Sequence, residues 1–225
     1  MKIKFGAIVV AGSGKIGGHV AAKNRAGAYL RTKVTPSNPN TPAQANARAI
    51  LASLSTGWGL LTESQRQSWN DAVASFATTD IFGDIKNPSG INLYVKLNAN
   101  LAQSGQALLD VAPEKLEIPF FPLESATFSI AGATLTFNTE IDEYSGTKVR
   151  IQATPAFSSG ISNFKSKLRN IGYTADVDDD ASNYSLYVTK FGAPVVGSKI
   201  AVSIAPIMAS GQQGTAQSVI ATVVA

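Results

Sequence analysis

Charge is distributed unevenly along this 225-residue chain, and this constrains its fold more than any other feature. The first 62 residues contain eight lysines or arginines and no acidic residue, since the first carboxylate is Glu63. The remainder carries eleven basic and fifteen acidic side chains, so the net charge of +4 combines +8 with −4. Basic segments that repel themselves usually become ordered against another molecule. We therefore expect the N-terminal part to bind a partner.

Residues 1–40 are predicted to form an extended basic arm. Residues 12–40 alternate glycine, basic and small residues and end in a Pro-rich run, so they cannot build a core of their own. The apolar segment 5–11 is expected to add as a strand to a partner's sheet. The predicted partner-binding residues of the arm are Phe5, Ile8, Val10, Lys15, His19, Lys23, Arg25, Tyr29, Arg31 and Lys33.

Residues 41–110 are predicted to be a helical docking region. Residues 41–44, Thr-Pro-Ala-Gln, combine a capping box with proline at the first helical position, and the helix is expected to stop near Gly57 or Gly59. Residues 62–65 repeat the capping-box spacing, and Ser89 is expected to cap a third helix. The predicted core positions of this region are Trp58, Trp69, Val73, Phe76, Leu93, Leu97 and Leu101.

The rest of the chain changes to a period of two. Residues 111–123 are a predicted linker whose Phe120–Phe121 pair is expected to wedge between domains. Seven alternating runs follow, and they predict an antiparallel β-sandwich over residues 124–225. These runs are 127–130, 134–138, 148–154, 164–171, 184–191, 199–204 and 218–223. The last of them look like the closing hairpin of a fibronectin type III or immunoglobulin-like module. The predicted fold class is therefore α+β, multidomain.

The most suggestive catalytic motif is the glycine pattern at residues 12–17, which matches G-x-G-x-x-G. A dinucleotide site also needs a helix after the glycines and an acidic residue about 20 positions later, and neither is present in this sequence. A phosphate-binding loop fails as well, because Ile16 rather than Ser or Thr follows Lys15. We interpret the glycines as positions where backbones approach closely.

Other candidate chemistry is equally weak. His19 is the only histidine and cysteine is absent, which argues against a zinc site. His19 also lies in the predicted arm, so a Ser-His-Asp triad would require the arm to fold over a pocket. Residues 176–180 match the first three ligands of an EF-hand, but Ala181 and Tyr187 stand where glycine and glutamate are required. We favour a solvated loop there, with a cation site as the alternative. The alternating cations at 165, 167 and 169 are interpreted as protection of a sheet edge.

A resemblance adds an assembly role to this interpretation. The runs 13–20, 31–32, 38–44, 61–62 and 65–69 resemble a group of small proteins from tailed bacteriophages and prophages. Many of these come from phages of Bacteroidetes, including the crAss-like type, and the group is associated with virion genes. The resemblance covers roughly residues 10–75. It implies no catalytic residue.

The expected function is that of a non-enzymatic bacteriophage structural protein, located in the virion and made in the host cytoplasm. Its expected partners are copies of itself and capsid, portal, ring or tail proteins, with no cofactor, no metal and no membrane. Two alternatives remain. The arm could bind nucleic-acid phosphates, although Phe5 and Tyr29 are its only aromatic residues for base stacking. The C-terminal domain could bind carbohydrate or a host surface.

Overall fold

A computed structural model describes most of the chain as an α+β fold. The described residues are 2–4, 12–24, 27–118, 120–139, 147–158, 160–161 and 163–225. The predicted partner-binding residues Phe5, Ile8, Val10 and Arg25 lie outside them. The strands are β1 Gly14–Ile16, β2 His19–Asn24, β3 Gly27–Thr32, β4 Thr78–Thr79, β5 Ile85–Lys86, β6 Leu123–Ser129, β7 Thr134–Thr139, β8 Lys148–Ala153, β9 Arg169–Thr174, β10 Lys199–Ile207 and β11 Gln217–Val224. The helices are α1 Pro42–Leu60, α2 Glu63–Ala72, α3 Gly90–Ser104 and α4 Asp180–Phe191.

The basic arm contains more structure than the sequence predicted. Strands β1, β2 and β3 form an antiparallel sheet, so the prediction of an extended arm is wrong over residues 14–24 and 27–32. Gly17 and Gly18 form the turn between β1 and β2, and Gly17 adopts a φ of 55° that glycine accepts readily. The small side chains of this stretch allow its three strands to pair with one another. Residues 33–41 are exposed and have no helix or strand.

The helical region follows its predicted start signals closely. Both capping boxes form, with Thr41 and Thr62 each accepting a hydrogen bond from the backbone N–H three residues later. Ser89 caps α3, as predicted. Helix α1 runs past both predicted stops to Leu60, and Gly57 permits close contact there, because a Cβ would lie 2.9 Å from the Tyr94 hydroxyl.

A compact core joins these three helices. Trp69 is fully buried and meets the ring of Tyr94 edge-on at 5.3 Å, while Trp58 contacts the same ring at 5.5 Å. Both tryptophans predicted as core positions therefore pack against Tyr94, with Trp69 buried and Trp58 partly buried. The other buried members of this core are Leu54, Leu61, Phe76, Leu93 and Leu97.

The C-terminal region is one six-stranded sheet in the order β7-β6-β11-β10-β8-β9. Strand β11 pairs with β6 in parallel, while the other neighbours are antiparallel. The sheet curls around α4, which packs against both edge strands, β7 and β9. The predicted immunoglobulin-like sandwich is not confirmed, because a helix rather than a second sheet covers this core.

One predicted strand is a helix. Residues 184–191 were expected to be extended, but they belong to α4. The tyrosines at 184 and 187, Val188 and Phe191 recur at helical spacing, and all contact the sheet core. Asp179 caps the helix by accepting a hydrogen bond from Ser182 N–H at 3.0 Å. The predicted strand 164–171 is also displaced, since residues 165–167 form a short 3-10 turn before β9.

The helical region and the sheet are joined by specific polar contacts. Asn100 in α3 donates to the carbonyl of Gly211 at 2.8 Å, and Tyr173 in β9 donates to Gln103 at 3.0 Å. Gln212 binds the backbone of the linker, including a 2.8 Å bond to the Glu114 carbonyl. The linker thus contacts the loop between β10 and β11. Of its phenylalanine pair, Phe121 is buried but Phe120 is 65% exposed, so Phe120 does not form the predicted wedge.

Candidate interaction surface

The arm sheet sorts its predicted binding residues onto two faces. Directly paired residues share a face, and successive residues of a strand alternate. Lys15, Val20 and Arg31 are aligned across the three strands, and Tyr29 lies two residues from Arg31 on the same face. His19 and Lys23 lie on the opposite face. The structure therefore brings Lys15, Tyr29 and Arg31 together and separates them from His19 and Lys23.

Four cationic residues of the arm are exposed to solvent: Lys15, Lys23, Arg31 and Lys33. Within the described part of the chain, no carboxylate lies within ion-pair distance of any of the four. Ala21 is the one buried hydrophobic residue among the described residues of the arm. The arm sheet is therefore a small basic element with little core beneath it, which suits contact with an anionic or acidic partner.

Two lysines near the N-terminus connect the arm to the body. Lys2 lies 3.4 Å from the carboxylate of Asp80, and Lys4 lies 3.0 Å from that of Asp84. The Lys4 ammonium also lies 5.2 Å from the ring centre of Phe82, at cation–π distance. Ile3 N–H donates to the carbonyl of Ala28 at 3.0 Å, so this segment lies beside β3.

The acceptor of these lysines is the hairpin formed by β4 and β5. The side chain of Asp80 is only 4% exposed and organises the turn, accepting hydrogen bonds from Phe82 N–H at 2.8 Å and Asp84 N–H at 3.1 Å. Burial raises the pKa of Asp80, but these two bonds and the bond from Lys2 outweigh it, so its pKa lies below the ordinary value. The turn therefore holds the Asp80 carboxylate between the amines of Lys2 and Lys86, which lie 3.4 and 4.0 Å away.

The hairpin is also apolar on its surface. Ile81 is 76% exposed, Ile85 73% and Phe82 42%. Three large apolar side chains next to a carboxylate pair, at the tip of a two-stranded hairpin, are typical of a surface that contacts protein. Sequence reasoning missed this hairpin because its strands are only two residues long.

The segment between the arm and the body is fixed at one end. The guanidinium of Arg48 in α1 donates to the side-chain oxygens of Asn38 at 2.6 Å and Asn40 at 3.0 Å. Asn40 has a φ of 49°, a conformation that asparagine tolerates better than most residues. The Arg48 guanidinium therefore holds residues 38–40 against α1. Residues 33–37 connect this fixed point to the arm sheet.

Two grooves of about 480 Å³ flank Lys96 on α3. One lies against β5 and the turn at Pro88, and the other lies between α3, the linker and residues 212–215. Their polar lining consists of amides, hydroxyls and the amines of Lys86, Lys96 and Lys115. This donor-rich lining suits hydrogen-bond acceptors and anions. No local pattern in the sequence predicts it, since the three lysines belong to separate parts of the chain.

The remaining candidate sites have structural explanations. Residues 12–17 enter a β-hairpin rather than a strand–loop–helix unit, and exposed His19 begins β2. In the acidic loop, Asp176 and Asp179 accept backbone hydrogen bonds, and Asp180 accepts one from the Thr136 hydroxyl at 2.7 Å. In the described ranges, no three His, Asp or Glu side chains are grouped to hold a metal ion. The Arg169 guanidinium donates to nearby carbonyls at the start of edge strand β9.

Comparison with protein-family models, curated proteins and solved structures finds no match to this chain. Among the helices that the structure describes, none is both long enough and apolar enough to span a bilayer.

Proposed function

We propose that the chain is a non-enzymatic structural subunit of a tailed-bacteriophage particle and binds neighbouring subunits through its N-terminal arm. The observation that carries the proposal is the contrast between the arm and the body. Among its described residues, the arm sheet displays exposed cations and buries Ala21 alone, whereas the body has two cores of its own. An element with so little internal burial gains most of its stability from what it contacts.

The body takes the docking and cementing role in this proposal. Asn100 and Gln103 of the helical region bind the C-terminal region, and Gln212 binds the linker between them. These contacts allow the two regions to act as one rigid body. The role does not require an immunoglobulin-like sandwich. The capsid surface, the head–tail ring or collar, and the tail remain the candidate locations.

A mass-spectrometric inventory of purified particles tests the proposal. We expect peptides of this protein at a constant ratio to the major capsid protein across independent preparations. Limited trypsin digestion gives a second readout, since the exposed Arg31 and Lys33 should be cleaved in the free protein and protected in the particle. Absence from purified particles, or equal cleavage in both states, would contradict the proposal.

The face shared by Lys15, Tyr29 and Arg31 supports nucleic-acid binding as a second candidate function. Two cations beside an aromatic ring suit contacts to phosphate and base. Replacing Lys15 and Arg31 together by Gln should reduce the salt slope of duplex binding by about two, since each phosphate contact contributes about −0.9. Lys23→Gln, on the opposite face, is the matched control. A slope that does not distinguish the double variant from this control would exclude the face.

A further inference from the structure

The contact between the N-terminal segment and the β4–β5 hairpin joins residues far apart in sequence. Lys4 and Asp84 are separated by 80 positions, and Lys2 and Asp80 by 78. Each of the two lysines pairs with one of the two carboxylates, and the Phe82 ring lies against Lys4. This is a complementary pair of surfaces: a cationic segment and an anionic, aromatic hairpin tip.

The chain between these two surfaces is suited to exchange. Residues 33–37 are exposed and follow the arm directly, while Arg48 holds Asn38 and Asn40 on α1. Pro36 favours an extended backbone at itself and at Thr35. Five extended residues span about 17 Å. A change of direction at 33–37 is therefore enough to carry the arm away from its own body.

The receptor surface is incomplete with one copy. Ile81 and Ile85 remain 76% and 73% exposed although Lys2 and Lys4 are in place. The Lys4–Asp84 pair is exposed to solvent and holds the arm only weakly to its own chain, whereas the Lys2–Asp80 pair involves a carboxylate that is 4% exposed. A second copy that supplies its arm in the same way makes the same pairs, and its body, brought beside the hairpin, covers the apolar tip, which adds burial that one chain does not have.

We infer that the arm is exchanged between copies, with Lys2 and Lys4 of one copy bound to Asp80 and Asp84 of the next. Exchange of an identical element is a low-cost route to association, because every contact already exists within one chain. The inference rests on the proposed function for its setting and names the surface that receives the arm. Its partner is a second copy of this chain.

Isotope-mixed cross-linking tests the exchange. Unlabelled and fully ¹⁵N-labelled full-length protein are mixed in denaturant, refolded together and concentrated, and the oligomer is treated with a zero-length carbodiimide. This reagent joins the Lys4 amine to the Asp84 carboxylate as an amide, with loss of water, because the two groups lie 3.0 Å apart. We expect about half of the Lys4–Asp84 peptides to contain one light and one heavy partner, the statistical value for exchange between copies.

The controls keep the two hypotheses separate. Lys4→Gln should abolish the cross-linked peptide, and Lys23→Gln should leave it unchanged. Cross-links that are only light–light and heavy–heavy, or a protein that stays monomeric at all concentrations, would overturn arm exchange. If mixed peptides form but the protein is missing from purified particles, the virion role fails and the exchange stands. If the protein is in particles and mixed peptides are absent, the exchange alone fails.

Discussion

At the level of single residues, a few side chains do more than fill space. Trp69 is fully buried, yet its indole N–H donates to the Asp110 carbonyl at 2.8 Å, which ties α2 to the segment after α3. The carboxylate of Asp80 accepts the backbone hydrogen bonds of the β4–β5 turn and also pairs with Lys2 of the arm. The sequence identified Trp69 as a core residue, because it lies on the apolar face of a helix. Nothing in the sequence distinguished Asp80 from the other acidic residues.

Trp69→Phe should lower the free energy of unfolding by about 2–4 kcal/mol, because it removes buried volume and leaves the Asp110 carbonyl without its donor. Trp58→Phe is the matched control, since Trp58 contacts the same Tyr94 ring but is only half-buried. Urea unfolding followed by circular dichroism measures both. Equal losses for the two variants would show that the indole hydrogen bond and the burial of Trp69 contribute little.

The lowered pKa of Asp80 predicts an acid-dependent hairpin. Because the folded-state pKa lies below the unfolded value of about 3.9, the carboxylate's stabilisation is complete above that pH and is lost as pH falls through the folded-state pKa. Asp80→Asn should therefore be less stable than the natural protein near neutral pH and lose less stability as the pH falls below about 3.9. Hydrogen exchange at the Phe82 and Asp84 amides across this range measures the effect. Parallel pH profiles would contradict it.

At the level of helices and strands, local signals predicted helix starts well and strand identity less well. A capping box involves residues three positions apart, so the sequence contains the whole interaction. Residues 184–191 satisfy both a strand pattern and a helix pattern. The helix prevailed because Asp179 caps it and because the curled sheet offers one continuous apolar surface to a helical stripe.

Asp179→Ala should destabilise α4 by about 0.5–2 kcal/mol, the usual cost of losing an N-cap side chain. Asp178→Ala is the matched control, because Asp179 rather than Asp178 binds the Ser182 N–H. Thermal unfolding of the two variants should separate them clearly. A control as destabilised as Asp179→Ala would mean that the loss reflects the charge of the acidic loop and not the cap.

Across the whole molecule, the helical region and the sheet meet where β10 ends. Gly211 has a φ of 74°, and a Cβ added there would lie 2.5 Å from the Leu97 carbonyl oxygen in α3. Strand β10 is buried along most of its length, with Ile204 on the α4 side and Ala205 on the other. Direct packing contacts therefore cross the predicted boundaries between the helical region, the linker and the C-terminal domain.

Gly211→Ala should destabilise the protein more than Gly197→Ala. Both positions have a left-handed φ, which costs alanine about 1–2 kcal/mol. Gly197 has open space around it, so its variant reports that strain alone, whereas the Cβ added by Gly211→Ala would also force α3 away from the sheet. The difference between their urea midpoints measures the interface. Identical midpoints would show that the two regions are not coupled at this point.

Local sequence was sufficient to predict the charge contrast, the starts of α1, α2 and α3, and most strands of the six-stranded sheet, because each depends on residues within a few positions of one another. The other features depend on tertiary packing. The parallel pairing of β11 with β6, the helix beneath the sheet and the Lys4–Asp84 contact join distant positions. Such contacts form only where packing of the whole chain offsets the entropy of closing long loops. No local pattern records that balance, so the surface that receives the arm became visible only in the folded protein.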